Sequence, residues 1–152
     1  MRRVYIFALI GVAIVVFVAV SAILARVFSV DGAERSAITS LVQDEARGDL
    51  NQAVTQIKGC AQSAACRSAV EANVVALKTP GNVSILQIEP SAGFSLGSTL
   101  GTARVAWRAG ASLPIVQCVR VKRAGNALSG LRVELLEISK RIESDSVCPT
   151  QF

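Results

Sequence analysis

The chain has no histidine, and only one tryptophan, one tyrosine, one methionine and four prolines in 152 residues. Each shortage removes a class of function. Without histidine there is no Ser-His-Asp triad, no Cys-His nucleophile pair and no imidazole general base. The four cysteines, Cys60, Cys66, Cys118 and Cys148, lack the close paired spacing of zinc ligands, and histidine cannot complete such a site. Aromatic residues make up 5% of the chain, too few for the stacking platforms that hold single-stranded nucleic acid. P-loop and G-x-G-x-x-G signatures are missing, as is any carboxylate cluster at metal spacing. Together these absences predict a protein that is not an enzyme, holds no metal or other cofactor and binds no nucleic acid.

Charge is absent from one long stretch. Val4 to Ala25 carries no ionisable side chain other than the phenol of Tyr5. At about 1.5 Å per residue this run spans roughly 33 Å as a helix, enough to cross a hydrocarbon core of about 30 Å. Arg2 and Arg3 precede it and Arg26 closes it. A charge at the bilayer centre costs about 2.5–3.5 kcal/mol on insertion scales, so these arginines mark its ends. The run predicts a transmembrane anchor over residues 1–28, a linker over 29–34 and a single domain over 35–142, with a tail over 143–152. A cleaved signal peptide is the rival reading, with Val20-Ser21-Ala22 as its cleavage site.

The four cysteines all follow the apolar run. An even number in a small domain beyond an export-type helix predicts disulfides and an oxidising compartment. Three connectivities are open. Cys60–Cys66, closing a short loop, and Cys118–Cys148, tying the tail to the body, are preferred. The cysteines and the weak excess of positive charge before the run predict a single-pass cell-membrane protein. Its N-terminus is cytoplasmic and its domain extracytoplasmic.

Beyond the anchor the period is first helical. Ala37, Ile38, Leu41 and Val42 form one stripe, while Glu34, Arg35, Gln43, Asp44 and Arg47 are assigned to the opposite face. The adjacent acids Asp44 and Glu45 are read as a solvated helix face, and Glu143 and Asp145 as a solvated tail. Gly48 ends this helix and Asp49 caps the next, which carries Leu50, Ala53, Val54 and Ile57. A third helix is expected from about Ala64 to Lys78.

After Thr79-Pro80-Gly81-Asn82 the period becomes two. Alternation around Val83–Ile88, Ala103–Arg108, Cys118–Lys122 and Leu131–Leu136 predicts antiparallel strands. Residues Ser91–Gly101, with Phe94 and Leu96, read as a loop. The fold class is therefore α+β, with helices on one face of a curved antiparallel sheet. Val105, Trp107, Val119, Val121, Leu131 and Val133 are expected to pack on Leu41, Leu50, Val54, Val70 and Val74.

The order of these elements, and the stretch Glu45-Ala46-Arg47-Gly48-Asp49-Leu50-Asn51-Gln52-Ala53, resembles the nuclear-transport-factor-two-like, or cystatin-like, superfamily. The resemblance covers roughly residues 33–140 and is one of architecture. It implies kinship with membrane-anchored domains of bacterial envelopes, among them Mce-associated proteins and a type IV secretion scaffold. Enzymes there often use an Asp/His dyad, which a chain without histidine cannot form.

One constellation suggests a ligand. Arg104, Arg108, Arg120, Lys122 and Arg132 fall on the outer face of neighbouring strands. They would make a positive surface for an anionic envelope polymer, lipid headgroups or an acidic envelope protein. The bland alternative is a wet face balanced by Glu89 and Glu134. The expected function is non-enzymatic binding or scaffolding of another cell-envelope component at the membrane. Carriage of a small hydrophobic ligand between helices and sheet is the alternative.

Overall fold

The computed structural model describes residues 2–92, 97–126, 130–143, 146–149 and 152. Its first element is one uninterrupted helix, α1 (Arg2–Arg47). Over the first half of α1 the described apolar side chains from Tyr5 to Leu24 are exposed on all sides, Ile23 alone being half-exposed. Such a surface suits lipid rather than water. This helix is long and apolar enough to cross a membrane.

The linker expected over 29–34 is corrected by the structure: these residues are helical. Nothing there breaks a helix. Gly32 is the weakest helix former there, and a Cβ at its position would meet no neighbour. Packing against the domain begins at Val30, which is buried. The helix therefore passes from its apolar half into the core without a hinge.

Gly48 ends α1 in the left-handed region at φ 82°, a conformation natural only to glycine. Asp49 caps α2 (Leu50–Gln56) by accepting from the Gln52 amide. Gly59, at φ 75°, precedes a 3-10 turn (Cys60–Gln62). Ser63 then caps α3 (Ala64–Leu77).

Strands β1 (Val83–Glu89), β2 (Thr99–Ala109), β3 (Ile115–Asn126) and β4 (Gly130–Ile138) follow. They form an open antiparallel meander in the order β1-β2-β3-β4. Strand β2 starts at Thr99, so the loop expected to run to Gly101 ends earlier. Phe94 and Leu96 lie outside the described residues. A bulge falls at Leu86, between Ile85 opposite Trp107 and Gln87 opposite Ala106. It reverses the facing of the rest of β1, so that Ile88 enters the core in place of Gln87. A second bulge falls at Leu136, opposite the step from Arg120 to Val121. Leu135 is buried, while Leu131 stays half-exposed near the end of the sheet.

The core lies between the inner sheet face and the three helices. Trp107, Val105, Val119 and Val121 are buried against Ile38, Leu41, Val42, Val54, Val70 and Val74. Leu50 and Val133 pack against its margin. The fold is thus α+β as predicted.

Candidate functional site

The outer sheet face holds the five predicted basic residues, and the structure divides them. Arg104 sits opposite Cys118, and Arg120 opposite Thr102 and Glu137. Both arginines have only about a fifth of their side chains exposed. The cause is the C-terminal tail. Ile142 bridges to Val116, Cys148 is bonded to Cys118, and the Phe152 ring lies 5.3 Å from the Arg120 guanidinium. The tail therefore straps the middle of the face that the sequence left open. Cys118 and Val116 are buried although they point outward.

The remaining cations lie at the two ends. Arg108 is exposed at one end, beside Ser84 and the β2–β3 turn. Lys122 and Arg132 are exposed at the other. Neighbouring acids balance part of this charge: Glu89 lies 3.7 Å from Arg104, Glu137 3.0 Å from Arg120 and Glu134 3.5 Å from Arg132. Lys58 reaches around the β4 edge to within 2.7 Å of Glu134 and holds its carboxyl below the ordinary range. The expected continuous basic face is, in the structure, a single exposed arginine at one end and an exposed Lys122–Arg132 pair at the other, flanking a covered centre.

Both preferred disulfides are present. Cys60 and Cys66 have Cα atoms 5.2 Å apart, and Cys118 and Cys148 5.7 Å apart. No cysteine is free. The Cys60–Cys66 bridge borders a cleft of about 360 Å³, open to solvent, with Val70, Leu136 and Phe152 on its walls.

The chief departure from the sequence reading concerns acids on α1. Glu34, Asp44 and Glu45, expected on or beside a solvated face, are all buried. The physical reason is that α1 is covered by the sheet on one side and by α2 and α3 on others. Asp44 faces α2, where it accepts from Gln56 Nε2 and Arg47. Glu34 and Glu45 face the sheet, three turns apart on the stripe of Ile38 and Leu41.

Glu34 is fully buried and forms a junction. Its carboxylate accepts from Arg123 Nε at 2.8 Å, from the Ser91 amide at 2.7 Å and from Ser91 Oγ at 3.0 Å. Arg123, 2% exposed, also donates to Asp31 Oδ1 at 2.5 Å and to the Ala92 carbonyl at 3.2 Å. These bonds tie α1, the start of the β1–β2 connection and β3 into one latch where the helix leaves its apolar half.

Glu45 lies in a second buried network. Trp107 Nε1 donates to Gln117 Oε1 at 2.8 Å, and Gln117 Nε2 donates to Glu45 Oε2 at 2.9 Å and to the Ser139 carbonyl at 3.1 Å. Asn73 Nδ2 also donates to the Ser139 carbonyl, at 3.0 Å. Glu45 Oε1 has no hydrogen-bond partner among the described residues. Burial raises the Glu45 carboxyl to a pKa of about 7, and the neighbouring Gln117 and Asn73 amides offset this only in part.

Neither network was read from the sequence, though a signal existed. Glu34 and Glu45 continue the inward stripe of α1, and Gln117 and Arg123 share strand parity with Val119 and Val121. Polar side chains on an inward stripe are the sign of a buried network. No group of three or more potential metal ligands occurs among the described residues.

Comparison with protein-family models, with curated proteins and with solved structures finds no match to this chain.

Proposed function

We propose that the chain is a single-pass membrane protein with a cytoplasmic N-terminus. Its extracytoplasmic domain binds or scaffolds another component of the cell envelope and performs no chemistry of its own. The observation that carries this reading is the junction between anchor and domain. One continuous helix serves both, and the Glu34–Arg123–Asp31 latch fastens the sheet to it. A mobile enzyme on a tether has no use for such a fixed joint, whereas a scaffold must hold its surface at a set height and angle. The two disulfides support placement on the oxidising side.

The resemblance to nuclear-transport-factor-two-like envelope domains belongs to the same proposal, resting on helices packed against a four-stranded meander. The filled core favours scaffolding over carriage of a hydrophobic ligand. Trp107 occupies the space between helices and sheet, is fully buried, and has its indole N–H bonded to Gln117. The partner surface is the end of the sheet away from the latch, where Arg108 is exposed near Leu86 and the β2–β3 turn presents Leu113.

Photo-crosslinking from Leu113 in native membranes, followed by mass spectrometry, tests the proposal. A single envelope protein or polymer captured there, and lost in Arg108→Glu, supports it. Capture of nothing specific refutes it.

A further inference from the structure

From the course of α1, the latch and the exposed cations around it, we infer that the latch end of the domain docks on anionic phospholipid headgroups of the leaflet from which α1 emerges. The inference rests on the anchor reading above. It adds a second contact, between the folded domain and the bilayer surface itself.

The geometry begins at Arg26, where the charge-free span ends. A headgroup layer adds roughly 5–8 Å beyond the hydrocarbon on each side. Asp31 lies about 7 Å along the helix from Arg26, at the outer edge of that layer. Asp31 and Glu34 both hold Arg123. Further along α1, Glu45 is joined through its carboxylate to Gln117. Helix α1 and strand β3 therefore run antiparallel, and β3 heads toward the bilayer as it leaves Arg123. It continues three residues to Asn126, about 10 Å at strand rise. Strand β4 starts back at Gly130. The ends of β3 and β4 consequently reach headgroup depth beside the emerging helix.

The charge there suits an anionic surface. Arg132, with 78% of its side chain exposed, stands opposite Ala124. Lys122 is exposed next to Arg123, and Arg35 is exposed one turn beyond Asp31 on α1. The Cα–Cβ bonds of a helix tilt toward its N-terminus, which inclines Arg35 toward the bilayer. The acids at this end are already engaged: Asp31 and Glu34 by Arg123, Glu134 by Lys58 and Arg132. Phe28 and Leu100, both largely exposed, add apolar surface at the same level. Each cation near an anionic leaflet is worth about fivefold in the docked-to-undocked ratio, so Arg35, Lys122 and Arg132 together supply roughly a hundredfold.

The test uses the full chain in lipid nanodiscs. All native cysteines are bonded, so an Asn126→Cys thiol is the single point for a spin label. Its collision rate with a lipid-tethered nickel chelate is compared in phosphatidylcholine alone and with phosphatidylglycerol added. Leu113→Cys, at the opposite end, is the control. The Asn126 label should approach the bilayer several-fold more often in the anionic discs. The gain should vanish in about 1 M salt, where the Debye length falls to about 3 Å, and in the Arg35→Ser/Lys122→Ser/Arg132→Ser variant. Unchanged Trp107 fluorescence in that variant shows that its fold persists. Equal rates in both lipids, indifference to the triple substitution, or approach of the Leu113 label would each overturn the inference. A chain extracted from native membranes by alkaline carbonate would instead mean that the anchor reading had failed.

Discussion

Replacing Glu45 by glutamine is expected to stabilise the domain above neutral pH and to leave it unchanged in mild acid. Glu45 is fully buried, accepts one hydrogen bond from Gln117 and has its second oxygen unpartnered among the described residues. Burial disfavours the charged form and raises the pKa from 4.5 to about 7. The folded state therefore keeps its proton to a higher pH than the unfolded chain does. The stability this gives is fully present below about pH 4.5 and is lost as pH rises through about 7. At about 1.4 kcal/mol per pH unit across that interval, the loss is roughly 3 kcal/mol. Glutamine has the shape of the neutral acid and does not ionise. The assay is denaturant unfolding of the full chain in detergent micelles at pH 5, 6, 7 and 8, with the disulfides intact. The variant should match the native protein at pH 5 and exceed it by about 2–3 kcal/mol at pH 8. A difference that stays constant across this range would refute the reasoning, as would a variant less stable at pH 8.

Arg123→Met should destabilise the domain by about 3–5 kcal/mol, because it leaves the Glu34 carboxylate buried without its cation, and Glu34→Gln on the same chain should recover most of the loss in the same unfolding assay. Gly101→Ala should cost on the order of 1–3 kcal/mol, since a Cβ there would stand 2.0 Å from the Ser91 carbonyl oxygen; retained midpoint and slope in denaturant would contradict the close approach of the two segments. Cys118→Ser/Cys148→Ser should lower stability by about 2–4 kcal/mol and release the tail, detected as faster proteolysis after Lys140 and Arg141. Thiol counting by non-reducing mass spectrometry on protein from native membranes should find none free.

Much of the architecture was legible in the sequence because its causes are local. Gly48 and Asp49 mark the α1–α2 turn through a positive φ and a cap, both properties of single residues. The antiparallel meander follows from alternation at period two. The bulges at Leu86 and Leu136 were not legible, because an inserted residue is defined only against its partner strand. The basic face was half legible. Strand parity put Arg104 and Arg120 on the outer side, but the tail that covers them comes from far along the chain, and parity does not report coverage. Asp44 and Glu45 were misplaced for a related reason. Charge suggests solvent when a helix has one neighbour, and α1 packs on the sheet, on α2 and on α3.

The sequence by itself determined the apolar span, the strand periodicity and the paired cysteines, since each depends on composition or on spacing along the chain. Only the three-dimensional structure decided that the span and the first domain helix are one continuous helix. It alone placed Glu34 with Arg123 and Glu45 with Gln117. Burial turns these polar side chains into fixed joints, and burial depends on what every other segment of the chain covers.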